Sequence, residues 1–411
     1  MAAPRSWANL PLDTISEVTR RVLCSRDRFE VALACRTWRA ALARTPPPPP
    51  PLPWLFLPSG NSAHLYCMLR CRRSDQGFNN GGRFFGSHDS AFLFVARHHP
   101  DLLHQIVNYR YGETYPVPSM VCPRHHPDVE YVYHPMLILA ATLSPCSRGL
   151  DLDDEECESE GVGIITYQPH ADGPRVRWFA FWNWKMGGEV AFDVWPPDDP
   201  NSAMEDILYR QGGFHFLTAG EDILECRPDL RESDGDNDDD GLVAMPKWLR
   251  RFVPRDRSCN DAHVRARYLV ESGEDLLMVV RLAPQPHMLT LAFKVFREVE
   301  PQVLDNGGGV PGYTWSWIEL DALALAGKML FVGRGCSRSY ETADYPGLED
   351  GVYFTDDRCF DDDEMMLCGF NERRYPCNDN RRWSIGPPPI VERFFRNQDP
   401  SHYSSPTWFL P

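Results

Sequence analysis

Phe216-Leu-Thr-Ala-Gly220-Glu-Asp-Ile-Leu224 and Leu269-Val-Glu-Ser-Gly273-Glu-Asp-Leu-Leu277 are near copies of one another. In each, an apolar stretch runs into a glycine, and two apolar residues follow at +3 and +4. Leu325-Ala-Gly327-Lys-Met-Leu330-Phe331 keeps the same frame, and the three glycines are spaced 53 and 54 residues apart. Gly161, with Ile164 and Ile165, reads as a weaker copy 59 residues before Gly220. Each copy reads as strand, glycine turn, strand, the hairpin of a sheet. A period of about 50 residues with four short strands per unit is the signature of β-propeller blades.

The sequence around these copies has the same texture. Arg175-Val-Arg-Trp178-Phe-Ala-Phe181-Trp-Asn-Trp184, Val264-Arg-Ala-Arg-Tyr268-Leu-Val, Leu291-Ala-Phe293-Lys-Val295-Phe and Trp315-Ser-Trp317-Ile alternate with period 2 and are rich in aromatic and β-branched residues. Such runs form strands. Residues 54–411 leave room for about six or seven four-stranded blades. Acidic stretches at 151–160, 234–240 and 361–364 read as exposed loops between them.

The first 45 residues differ. Leu10-Pro11 opens a helix, proline being tolerated in a first turn. Ile15, Val18 and Val22 share one helical face, Phe29 and Leu33 lie four apart, and Cys35, Trp38 and Leu42 are spaced three and four. Three short helices are predicted, over 12–23, 28–34 and 36–44. So small a unit rarely holds a core of its own, so some of these apolar residues should bind a partner. Pro46 through Pro51, then Leu52-Pro53, predict a polyproline II spacer of roughly 25 Å. The expected organisation is a helical domain at 1–45, a linker at 46–53 and a propeller at 54–411.

The bulk numbers narrow the function. The chain has 411 residues and a formal charge of −16. Residues 1–45 carry eight arginines and four carboxylates, a formal +4, which leaves −20 for the body. An acidic body argues against nucleic acid or an anionic membrane as partner. There are 13 cysteines without a regular framework, no apolar leader segment, and no apolar run longer than Met136 to Ala141. The expectation is a cytoplasmic or nuclear protein with free thiols.

Motifs for chemistry fail on inspection. Asp236-Asn-Asp238-Asp-Asp240-Gly241 begins like a calcium loop, but Lys247 stands where a closing Glu belongs. His64, Cys67 and Cys71, or Cys122, His125 and His126, lack the second ligand pair of a structural zinc site. His98, His99 and His104 read as turn residues. There is no G-x-S-x-G elbow, Walker loop or dinucleotide fingerprint, and Gly333-Arg-Gly335 reads as a link between a strand and a blade loop. No catalytic residue, metal or cofactor is expected. Trp182 with Trp184, and Trp315 with Trp317, should pack between blades.

The head resembles an F-box. Leu10-Pro11, Ile15, Val18, Leu33, Cys35, Trp38 and Arg39 match its Leu-Pro start, its aliphatic face and its late Val/Leu-x-Cys-x-x-Trp-Arg, with Ala34 a mild departure. The body resembles the plant F-box propellers of the KIB type. The likeness runs through Gly86-Ser-His-Asp-Ser-Ala-Phe92, Leu103-His-Gln-Ile-Val107-Asn108-Tyr with Gly112-Glu-Thr-Tyr-Pro-Val-Pro118, and Gly327-Lys-Met-Leu-Phe-Val-Gly333 onward to Gly351-Val-Tyr-Phe354. The resemblance implies a substrate receptor of a cullin–RING ubiquitin ligase. In that reading Leu10, Pro11, Ile15, Val18, Leu33, Cys35, Trp38 and Arg39 dock on a Skp-type adaptor and through it on cullin, while the propeller binds a protein target. The chain then does no covalent chemistry. The alternatives are a propeller scaffold that sequesters a partner without using its head, and a propeller glycoside hydrolase with two facing carboxylates.

Overall fold

The computed structural model describes residues 7, 10–59, 62–69, 72–73, 82–88, 92–98, 102–109, 111–123, 133–144, 160–168, 173, 175–183, 190–192, 200–227, 247–253, 263–286, 288–304, 312–357, 375–384, 386, 388–395, 398–401 and 404–411. Residues 236–241, the acidic stretches apart from Glu160, Cys71, His99, His125, His126 and Trp184 lie outside this set.

Three helices open the chain: α1 (Leu12–Arg20), α2 (Ser25–Ala34) and α3 (Arg36–Arg44). Pro11 precedes the first and Asp13 sits in its first turn, where a carboxylate suits the positive end of the helix. Cys35 is fully extended and ends α2 while starting α3. Two boundaries differ from expectation. α1 stops at Arg20 because Leu23 turns aside to pack against the propeller, and α2 begins at Ser25, just after the extended Cys24. The bundle's own core is thin: among the described residues, Ile15, Cys24 and Ala41 are its buried apolar side chains.

The strands follow in order: β1 (Trp54–Ser59), β2 (Ser62–Cys67), β3 (Arg72–Arg73), β4 (Gly82–His88), β5 (Phe92–His98), β6 (Leu102–Asn108), β7 (Thr114–Val117), β8 (Met120–Pro123), β9 (His134–Leu143), β10 (Glu160–Tyr167), β11 (Val176–Asn183) and β12 (Val190–Phe192). Next come β13 (Met204–Arg210), β14 (Gly213–Thr218), β15 (Ile223–Cys226), β16 (Lys247–Arg250), β17 (His263–Ser272), β18 (Asp275–Ala283), β19 (Ala292–Leu304) and β20 (Gly312–Glu319). A short helix, α4 (Ala322–Leu325), leads into β21 (Lys328–Val332), β22 (Arg338–Glu341), β23 (Gly351–Phe354), β24 (Arg381–Ser384), β25 (Ile390–Glu392) and β26 (Thr407–Phe409).

They form six sheets, the lower of the two blade numbers the sequence allows. Blade 1 is β26-β1-β2-β3, blade 2 β4-β5-β6-β7, blade 3 β11-β10-β9-β8-β12, blade 4 β13-β14-β15-β16, blade 5 β17-β18-β19-β20 and blade 6 β22-β21-β23-β24-β25. Blade 1 closes the ring: β26, from the C-terminus, pairs antiparallel with β1 through Trp54↔Phe409, Leu55↔Trp408 and Phe56↔Thr407. Around the axis β26 packs on β4, β4 on β9, β9 on β13, and β13 on β17. The core lies between blades. Phe179 and Phe181 of blade 3 pack against Phe216 and Phe214 of blade 4, the second pair edge-on, and Phe293 of blade 5 packs against Phe354 of blade 6.

The glycine copies are not in blade register, which corrects the reading of the repeat. Gly273 makes the β17–β18 turn, with φ +62°, and Gly220 the β14–β15 turn, a different corner of its blade. Gly327 follows α4 and precedes β21, outside any hairpin. Gly161 lies within β10 opposite Trp182. The fold class stands, because the alternation that defines strands is independent of where the turns recur. Among the described residues, no helix is long and apolar enough to cross a membrane.

Candidate functional site

The helical head is seated on the propeller at blades 1 and 6. Leu23 joins the apolar cluster of Leu52, Leu55, Phe331, Tyr345 and Trp408. Cys24, at the start of α2, places its Sγ 3.8 Å from the Sγ of Cys67 on β2. Arg28 binds the head together: its Nη1 donates to the carbonyls of Thr19 and Val22 at 3.2 and 3.3 Å, and its Nη2 to Thr45 Oγ1 and the Pro46 carbonyl at 3.2 Å each.

The proline run is docked at its C-terminal end rather than free. The Tyr345 hydroxyl donates to the Pro50 carbonyl and the Tyr340 hydroxyl to the Pro51 carbonyl at 3.2 Å, while Leu52 and Pro53 are buried. Proline has no N–H to give, but its carbonyl remains a full acceptor, and tyrosine supplies the donor. The run therefore holds the head at a fixed place as well as spacing it.

The eight residues singled out in the head fall into three groups. Ile15 is wholly buried and belongs to the bundle's own core, so its side chain is not available to a partner. Leu10, Cys35 and Trp38 are half-buried, the Trp38 indole N–H donating to the Trp7 carbonyl at 3.3 Å. Pro11, Val18, Leu33 and Arg39 are exposed, and so is Phe29 beside them, at 64 % against 60 % for Leu33. No residue of α2 is buried, although the helix carries Phe29, Val31 and Leu33. Arg36, Arg39 and Arg44 lie exposed on α3, Arg39 donating from Nε to the Ala32 carbonyl at 3.0 Å, and Arg20 and Arg21 are engaged by Glu17. A groove of about 700 Å³ runs between head and ring, lined by Trp7, Val22, Cys24, Val31, Trp38 and Leu69.

Sequence reasoning missed the polar groups inside the ring. The Asp206 carboxylate, wholly buried, accepts backbone N–H groups from Ile207 at 2.8 Å, Leu269 at 2.7 Å and Gly335 at 2.7 Å, linking blades 4, 5 and 6 near the axis. Burial pushes its pKa up to about 7 against those donors. Arg281, also fully buried, is held by Asp379 at 2.9 Å and Asp357 at 2.5 Å and lies over the Phe354 ring. Tyr268 donates its hydroxyl to Asp357 at 2.6 Å. These groups are committed to one another, as blade-to-blade ties. The axial cavity beside them has about 50 Å³, too little for a sugar ring, and Asp357 is the one carboxylate among the described residues that line it. That cavity does not hold the two facing carboxylates the glycoside hydrolase alternative needs. The described Trp-x-Trp residues serve packing: Trp317 stacks on Phe252 with centroids 4.4 Å apart, and Trp315 lies under the Arg250 guanidinium.

Among curated proteins, none matches this sequence. The family model for the KIB1-4 beta-propeller matches residues 62–374, which takes in blades 2 to 5 whole and parts of blades 1 and 6, leaving β1 and β24–β26 outside it. The chain belongs to the KIB1-4 beta-propeller family, and its ring is a propeller of the protein-interaction type.

Proposed function

We propose that this protein is the substrate receptor of an SCF-type cullin–RING ubiquitin ligase, its helical head acting as an F-box on a Skp-type adaptor and its propeller holding the target protein. The observation that carries the reading is α2. A ten-residue helix without one buried residue, presenting Phe29 and Leu33 to solvent, has no reason to be apolar unless another surface covers it. Pro11 and Val18 are exposed on the head as well, and the exposed arginines of α3 add positive charge, which steers an acidic partner. The docked proline run supports the same reading, since a ligase works by holding its target at a set distance from the transferring enzyme.

Titration calorimetry of the full chain with a purified Skp-type adaptor tests it. The wild type should bind, and Pro11→Ala/Leu33→Ala should bind at least about tenfold more weakly with its circular dichroism unchanged. Absence of binding by the wild type, or equal binding by the double variant, overturns the proposal.

A further inference from the structure

Cys24 and Cys67 meet where the helical head touches blade 1. Their sulfurs are 3.8 Å apart, and the residues are 5 % and 6 % exposed. Cys24 ends the connection from α1 and stands at the N-cap of α2, the positive end of that helix. Cys67 closes β2 of blade 1 in register with Trp54. Cys24 also lines the groove between head and ring, which gives a small oxidant a path to it.

We propose that Cys24 and Cys67 are a reversible dithiol that hydroperoxides oxidise to a disulfide, clamping the helical head onto the first blade. The geometry supplies what such a pair needs: two thiols in contact, one of them at a helix N-terminus, and access from solvent. The charge state agrees. The hydrogen bond from Cys67, then the backbone N–H groups of Asp27 and Arg26, draw the Cys24 thiol down to about 6 in spite of its burial. Cys336 marks the contrast: full burial pushes its thiol up to about 12, so it stays a thiol at neutral pH and is inert.

The chemistry balances with peroxide as the only co-reactant. The Cys24 thiolate attacks one peroxide oxygen, an S–O bond forms, the O–O bond breaks, and hydroxide leaves to become water. The Cys67 sulfur then attacks the Cys24 sulfenic sulfur, the S–S bond forms and the S–O bond breaks, and the departing hydroxide takes the Cys67 thiol proton to leave as water. Two electrons pass from the sulfurs to peroxide. A thiol reductant reverses the change. The crosslink encloses α2, α3 and the proline run in one loop, 43 residues from sulfur to sulfur, so it fixes the head without altering the exposed faces of α2 and α3.

The full-length reduced chain, treated with hydrogen peroxide near neutral pH, blocked with N-ethylmaleimide and digested without reductant, tests this by mass spectrometry. A peptide pair joined through Cys24 and Cys67 should accumulate ahead of every other crosslink, and Cys67→Ser should instead leave a Cys24 sulfenic acid that dimedone traps. Should Cys67→Ser not fold, alkylation of the wild type at mildly acidic pH decides the matter: Cys24 should react at least about tenfold faster than Cys336. Oxidation that bypasses Cys24, or equal alkylation rates, overturns the proposal.

Discussion

Arg281 on β18 and Asp379, from the segment entering β24, are both sealed from solvent and joined at 2.9 Å, which ties blade 5 to blade 6 by a charge pair. Asp379 also accepts the Thr290 N–H at 2.9 Å and the Thr290 hydroxyl at 2.8 Å. Removing Asp379 leaves the buried Arg281 with Asp357, at 2.5 Å, as its remaining carboxylate and takes from Thr290 its acceptor. Asp379→Ala should cost about 3–5 kcal/mol. Arg281→Met/Asp379→Asn should recover part of that, because the Arg281 charge goes together with its partner's, while Asp357 and Arg265, each left short of a counter-charge, limit the recovery. Urea unfolding of the two variants against wild type measures both figures. A double variant no more stable than Asp379→Ala would show that the hydrogen bonds, rather than the charges, bind these blades.

Gly161 is the second fixed point. It pairs with Trp182 across β10 and β11, and a Cβ on residue 161 would fall 2.0 Å from the indole Nε1. The indole is 5 % exposed and packed in the core shared by blades 2, 3 and 4, so it has little room to withdraw. Gly161→Ala should therefore destabilise the chain by about 1–3 kcal/mol, although alanine suits a strand better than glycine. Trp182→Leu in the same chain should relieve much of the collision. Thermal melting of the single and double variants shows whether the two effects compensate.

The acid limb of stability is set in blade 4. His215 is buried, its Nε2 within 3.2 Å of the Arg210 carbonyl, and burial first, with Arg250 nearby, brings its pKa down to about 4 in spite of Glu225. The unfolded chain takes up a proton on this residue near pH 6.5 and the folded chain only near 4. The stability that neutral His215 provides is therefore complete above about pH 6.5 and falls away towards pH 4, by about 3 kcal/mol in all. Asp206 works in the opposite sense: its pKa is raised to about 7, so the folded chain gains relative stability as pH falls from 7 towards 4. Subtracting the stability profile of His215→Asn from that of wild type cancels Asp206. The difference should slope between pH 6.5 and 4 and be flat above, and a flat difference throughout would refute the assignment.

The strands and the ring were legible in the sequence because alternation is a local property. Arg175 to Trp184 and Val264 to Val270 announce β11 and β17 whatever their neighbours do. The blade register was not, because Gly220, Gly273 and Gly327 recur evenly in the chain but occupy different places in the blades. The head's helices were legible from spacing, yet the division of its apolar residues was not. Ile15 and Val18 share a face in sequence, and only the fold sends one into the core and leaves the other 40 % exposed. The ties of the ring could not be read at all. Arg281 looks like any strand-surface cation until Asp379, 98 residues away, arrives beside it. The docking of the proline run depends on Tyr340 and Tyr345, 289 and 295 residues away from the carbonyls they bind.

Closure of the ring rests on a single short strand, and Trp408 is its anchor. The residue is fully buried, its indole N–H donates to the Val332 carbonyl at 2.9 Å, and its ring meets Phe331 edge-on at 5.1 Å. The backbone on either side is held by one hydroxyl: Ser87 donates to the Trp408 carbonyl at 2.7 Å and accepts the Leu410 N–H at 3.1 Å. Blades 1, 2 and 6 thus converge on three C-terminal residues. Trp408→Ala should cost about 3–5 kcal/mol through the cavity alone. Ser87→Ala should cost about 1–3 kcal/mol more than an exposed Ser→Ala change, since it strands a buried carbonyl and a buried N–H. Hydrogen exchange separates local from global loss. In Trp408→Ala, protection should fall first in β26 and β1 and leave β17 and β18 unchanged; uniform loss around the ring would mean that the six blades open together and that no closing strand gives way before the rest.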